Sequence, residues 1–137
     1  MTRQFHLEIE TDGDGDIKNL SPLLAESLRN DRGVGTVNIF VRGSTAAITT
    51  LEFELGLVKH DVGALMQKLA PADAEYFHEA TWNDDNGHSH LRASLIGPSV
   101  TVPFKDGKLL TGEYQQVVLC EFDTRQRKRV VIVTVMS

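Results

Sequence analysis

Val130 to Val135 reads Val-Val-Ile-Val-Thr-Val, six residues branched at Cβ in succession. Such side chains favour the extended, pleated backbone. Because both faces of the resulting strand are apolar, both must be covered, either between layers of one domain or against another subunit. The chain must therefore build layers around a sheet, and its 137 residues suit one domain over 1–137, a size that buries roughly two-thirds of the unfolded surface.

The other segments supply the partners. Phe5, Leu7 and Ile9 alternate with Gln4, His6 and Glu8, the pattern of a half-buried first strand with His6 on its wet side. Thr11 to Asp16 has three aspartates at alternate positions, yet a calcium loop opening at Asp12 would need Gly and Glu where Ile17 and Leu23 stand, so this is a turn. Ser21-Pro22 starts a helix carrying Leu20, Leu24 and Leu28 towards a stop at Gly33, and Val58, Val62, Leu65 and Leu69 give a second that ends before Pro71. Val34–Arg42 and Thr45–Glu54 read as strands joined by a hairpin or tight connection at Gly43-Ser44, and Val100, Val102 and Phe104 as a strand turning at Asp106-Gly107 into Lys108–Leu110. Glu113–Phe122 and Arg127–Met136 close the chain. The expectation is an α+β fold of mainly antiparallel β-sheets, about seven or eight strands, with two helices packed on a sheet face.

Two stretches carry chemistry. Pro71 to Gly87 is a long irregular segment holding Tyr76, His78, Trp82 and the Asn83-Asp84-Asp85-Asn86 cluster, and long loops in compact domains tend to be functional. Asn86 to Gly97 reads as a strand, which would line His88, His90, Arg92 and Ser94 on one face opposite Ser89, Leu91, Ala93 and Leu95. Two imidazoles, a guanidinium and a hydroxyl in one row can donate to an anion or help hold a metal. A solvated strand face is the plain alternative.

Net charge of −5 argues against a dedicated nucleic-acid binder, with Arg125–Arg129 a strand approach rather than a binding arm. The single cysteine, Cys120, sits in an apolar run and is expected as a buried thiol in a reducing, cytoplasmic protein. Charges at Arg3, Glu8 and Glu10 break any signal-peptide core, and no apolar run reaches membrane-spanning length.

Gly43-Ser44-Thr45-Ala46-Ala47-Ile48-Thr49-Thr50-Leu51-Glu52, Lys59-His60-Asp61, Tyr76-Phe77-His78, Asn86-Gly87-His88-Ser89-His90, Leu95-Ile96-Gly97 and Gly112-Glu113-Tyr114-Gln115-Gln116 together resemble the YjbQ-like family, also called secondary thiamine-phosphate synthase. The resemblance spans nearly the whole chain. It implies a homotrimer of α+β domains whose pocket holds the histidine motif near subunit contacts. It places Glu52, His60, Asp61, His78 and His90 as catalytic candidates and Arg92, Ser94 and Gln115 as candidates for holding a phosphorylated small molecule, to which this chain's own His88, Ser44, Thr45 and Asn86 are added. Where the family's commonest form has His-Thr-Thr-Ala, this chain has Gly43-Ser44-Thr45-Ala46, and His88 is the candidate replacement for that missing imidazole. Gly112-Glu113-Tyr114-Gln115 stands in for the familiar Gly-x-Trp-Gln.

Three mechanisms fit these residues. In the first, implied by the resemblance, a thiazole nitrogen displaces pyrophosphate from an aminopyrimidine methyl carbon; Arg92, His88 and His90 neutralise the leaving group and Asp61 and Glu52 hold magnesium through water. In the second, His78, His88 and His90 bind zinc and Glu52 or Asp61 is the base of a hydrolase. In the third, the pocket belongs to a trimeric binding protein that does no chemistry. Glycine-rich nucleotide loops and a nucleophile-elbow serine are both missing from the sequence.

Overall fold

The computed structural model describes residues 1–137. Its elements in chain order are β1 (Thr2–Thr11), β2 (Ile17–Asn19), α1 (Ser21–Leu28), β3 (Val34–Val41) and β4 (Ala46–Glu52), then a π-helical turn Leu57–Asp61 continuing into α2 (Val62–Leu69). α3 (Phe77–Trp82), α4 (Gly87–Ile96), β5 (Ser99–Lys105), β6 (Lys108–Leu109), β7 (Gln115–Glu121) and β8 (Arg127–Met136) complete it. The strands form a five-stranded sheet in the order β1-β8-β3-β5-β6 and a three-stranded sheet in the order β2-β7-β4, antiparallel throughout. The α+β class with antiparallel sheets is thus observed, with eight strands and four helices instead of two.

Three layers result. The inner faces of the two sheets enclose Ile9, Val37, Ile39, Val41, Ile48, Val117, Leu119, Val131, Val133 and Val135, closed at one side by the leucines Leu20, Leu24 and Leu28. The outer face of the small sheet presents Ile17, Ala47, Val118 and Cys120 to Val58, Met66 and Ala93 of the helical layer. β7 is the strand apolar on both sides and covered on both, since alternate residues enter the two cores. β8 is central in its sheet; Val131, Val133 and Val135 are buried on its inner face, whereas Val130, Ile132 and Thr134 on the outer face are only half-buried, so within one chain the cover expected on both faces is complete on one.

Of the hairpin or tight connection expected at Gly43-Ser44, the tight connection is what forms. β3 and β4 lie in different sheets, as do β7 and β8, so these short connections carry the chain from one layer to the other. Strands that twist apart can be bridged by two residues without pairing, and the hydrophobic pattern alone specifies a face, never a neighbour.

Gly87–Ile96 is a helix, where alternation predicted a strand. Leu, Arg and Ala are good helix formers. Ser89, Ala93 and Ile96 recur at i, i+4 and i+7 and pack inwards, while Leu91 and Leu95, expected in the core, are exposed. Gly97, at φ +98°, ends the helix with its N–H on the Ala93 carbonyl at 2.8 Å. Within Pro71–Gly87, expected to be irregular, Phe77–Trp82 is helical and stops at Asn83 in the left-handed conformation.

Candidate functional site

A helix distributes side chains at about 100° per residue, so the expected row on α4 splits in two. His90 and Ser94 share one flank; His88 and Arg92 share the other, with Ser89, Ala93 and Ile96 between them facing the small sheet.

The His90 flank opens on a cleft of about 400 Å³ lined by Phe40, Ser44, Ala46, His90, Ser94 and Pro98, among others. Ser94 donates its hydroxyl to the Leu91 carbonyl (2.8 Å) and keeps its oxygen lone pairs as acceptors. His90 also stacks against His78, ring centres 4.5 Å apart and planes tilted by 57°. His78 reaches it from α3, within the 71–87 segment.

His78 is held in one tautomer. Its Nε2 lies 3.0 Å from the Asn86 side-chain carbonyl, which can only accept, so Nε2 carries the proton. The Asn86 amide is oriented in turn because its NH₂ donates to Asp123 Oδ1 at 3.5 Å. Asp123 belongs to a buried polar knot between the layers. Thr45 donates to Asp123 Oδ2 (2.9 Å) and accepts from Arg129 Nη2 (2.7 Å); Arg129 Nε donates to Glu121 Oε1 (2.7 Å), as does the Thr11 hydroxyl (2.7 Å). Burial alone would raise the Asp123 carboxyl, but the Thr124 N–H, the Thr45 hydroxyl and the Arg127 guanidinium outweigh it and bring it down to about 2. The line Asp123, Asn86, His78, His90 therefore runs from a fixed anion in the core to the cleft.

The remaining candidates are placed elsewhere. His88 is buried against Tyr76 (ring centres 6.4 Å) on the far flank of α4, and desolvation, reinforced by the Arg92 charge, lowers its pKa. The trio His78, His88 and His90 does not converge. Arg92 donates to the Ala70 carbonyl and to Gln67 Oε1, both at 2.9 Å, and so ties α4 to α2 rather than reaching the cleft. Thr45 is buried within the knot. His60 and Asp61 bond each other at 2.8 Å on the exposed π-helical turn. Glu52 and Gln115 face each other across β4 and β7, at the end of β4 away from Ala46 and the cleft; Gln115 donates to Thr50 Oγ1 at 3.0 Å. Within one chain these four stand apart from His90.

A family model described as "UPF0047 protein YjbQ-like" matches residues 5–137. The chain belongs to this family. It is 37% identical over 98 residues to a UPF0047 protein of Archaeoglobus fulgidus, covering 72% of this chain and 75% of the relative, and 30% identical over 125 residues to one of Methanocaldococcus jannaschii, covering 90% and 88%. Among solved structures, a YbjQ-like protein of unknown function from Sulfolobus solfataricus P2 superposes with a TM-score of 0.86 at 25% identity, covering 100% of this chain and 99% of that one.

In this member of the YjbQ-like family, Gly43 has a physical explanation. Its φ is +125° and a Cβ there would lie 2.6 Å from Arg129 Nη1, so any side chain would have to displace the buried guanidinium. His88 does not supply the missing imidazole, since it points away from the cleft flank. Sequence reasoning missed Glu79, whose Oε1 accepts the Gly87 N–H at the start of α4 (2.6 Å), and Asp123, which acts through Asn86. Nothing local marks Glu79, whose contact with Gly87 is made by the packing of α3 against α4. Nothing local marks Asp123 either.

Proposed function

We propose that this YjbQ-like protein is a small-molecule enzyme of the transferase type that acts on a phosphorylated substrate in the cleft beside His90, with thiamine-phosphate-synthase-like joining as its activity. The observation that carries the reading is the His78–His90 pair: an imidazole at a cleft, stacked on a second whose tautomer is set through Asn86 by a core carboxylate. The stack sets the His90 ring against a fixed neighbour at the cleft, where it can reach a leaving-group oxygen as general acid.

In this reaction the methylene carbon of an aminopyrimidine pyrophosphate forms a bond to the ring nitrogen of a thiazole phosphate while its bond to the pyrophosphate oxygen breaks. The nitrogen contributes its lone pair and becomes cationic without losing a proton, and the leaving oxygen takes the electron pair of the broken bond. His90 donates to that oxygen, the Ser44 hydroxyl donates to a neighbouring phosphate oxygen, and Ser94 accepts from the pyrimidine amine. Glu52, His60, Asp61 and Gln115 join the chemistry from a neighbouring copy in a cytoplasmic homotrimer, because one chain keeps them away from its own His90.

The test is turnover of these two substrates. His90→Ala lowers the rate by roughly 100-fold or more while His6→Ala, on the outer sheet face, does not. Full turnover in His90→Ala would remove the assignment. Substrate binding by a wild-type protein that never turns over would replace it with a non-catalytic binder.

A further inference from the structure

The turn between α3 and α4 sets His78, which the proposed transfer uses, beside two carboxylates that it does not use. His78, Glu79 and Asp84 each present a ligand atom, all three within 4.8 Å of one another. His78 Nε2 lies 3.2 Å from Asp84 Oδ2. The backbone makes this meeting possible: Asn83, at φ +52°, reverses the chain so that Asp84 folds back over the helix carrying His78 and Glu79. Gly87 lets Glu79 approach, since a Cβ there would stand 2.6 Å from Glu79 Oε1.

The hydrogen bonding of this cluster does not balance. One proton, on His78 Nε2, faces both Asn86 Oδ1 and Asp84 Oδ2, while Asp84 Oδ1 is buried without any partner. Glu79 Oε1 accepts the Gly87 N–H, and its Oε2 is left open to solvent. Two partly exposed carboxylates thus sit side by side, and one buried acceptor between them, Asp84 Oδ1, is left without a donor that a cation could replace.

We propose that His78, Glu79 and Asp84 form a divalent transition-metal site of the zinc class. Metal–ligand bonds of about 2.0–2.1 Å in a tetrahedron give edges of roughly 3.3 Å, close to the His78–Asp84 separation. One imidazole with two carboxylates suits zinc better than magnesium, which prefers oxygen alone and holds its waters. On loading, the imidazole proton moves from Nε2 to Nδ1, Nε2 takes the ion, and water occupies the fourth position. The site is one step from the cleft, because His78 stacks on His90.

Binding is measured on the full chain, stripped with chelator, by calorimetric titration with zinc chloride. We expect one equivalent per chain, undisturbed by excess magnesium. Asp84→Asn and Glu79→Gln each weaken it roughly tenfold or more. Both variants keep the shape of the side chain, and the amide oxygen introduced by Glu79→Gln can still accept the Gly87 N–H, so a folded protein is available for comparison. Less than about a tenth of an equivalent in the wild type overturns the proposal. So does full affinity in both variants, and so does loss confined to His60→Ala, which would put the ion on the exposed His60–Asp61 pair. None of these readouts depends on turnover.

Discussion

Arg129→Met probes the knot that positions the site. Glu121 is fully buried (0% exposed) and its carboxylate receives Arg129 Nε, Arg129 Nη2, the Thr11 hydroxyl and the Asp123 N–H. The substitution removes two of these four bonds and the only cation that the carboxylate touches. A buried charge stripped of its partner costs about 3–5 kcal/mol, against a total stability of about 7 to 20 kcal/mol expected for this length. With a urea slope of about 2 kcal/mol per molar, the unfolding midpoint falls by about 2 M. The double variant Arg129→Met/Glu121→Leu recovers most of that loss, because no uncompensated charge remains. A single-variant loss under about 1 kcal/mol, or a double variant worse than the single, would be incompatible with a buried ion pair that matters in this way.

Asp123, brought down to about 2, contributes stability that is complete above the unfolded carboxyl pKa near 4 and is lost as pH falls through the folded value; acid unfolding of Asp123→Asn should lack a component of about 2 kcal/mol between about pH 4 and 2. Cys120, whose thiol burial pushes up to about 12, should react with a thiol reagent only as fast as the chain unfolds, so prompt labelling of native protein would contradict its burial between the small sheet and the helices. Gly87→Ala forces Glu79 or Tyr76 to move, since the new Cβ would lie 2.6 Å and 2.7 Å from them. Thermal unfolding should report a loss of about 1–3 kcal/mol, whereas Gly63→Ala, with open space around it in α2, should be neutral or stabilising.

The strands were legible because their alternation reflects burial on one face: Phe5, Leu7 and Ile9 do turn inwards, and Arg127–Met136 has the bounds expected of it. Which strands pair was not legible, since Gly43-Ser44 looks the same whether it folds a hairpin or crosses between sheets. The α4 segment misled for a definable reason. His88, His90, Arg92 and Ser94 alternate with smaller or apolar residues, but Ser89 is a polar member of a buried helical stripe, its hydroxyl enclosed without a partner, and it hid the i, i+4, i+7 pattern. Asn86 before the run and Gly97 after it were the available boundary signals. Of the site, the sequence offered the histidine motif and, separately, a 71–87 segment holding His78. It could not show that the helix separates His90 from His88 and Arg92, nor that Asp123 reaches His78 through Asn86, which lies 37 residues before it.

If His90 and His78 meet the substrate, their rings must sense its leaving group. With five histidines in the chain, ¹⁵N-histidine NMR can follow each ring as pyrophosphate is added to chelator-treated protein. The signals of His78 and His90 should shift together and saturate, and that of His6 should stay in place. Saturating binding that leaves both the His78 and His90 resonances unmoved would place the phosphorylated ligand elsewhere on the molecule and remove the cleft assignment.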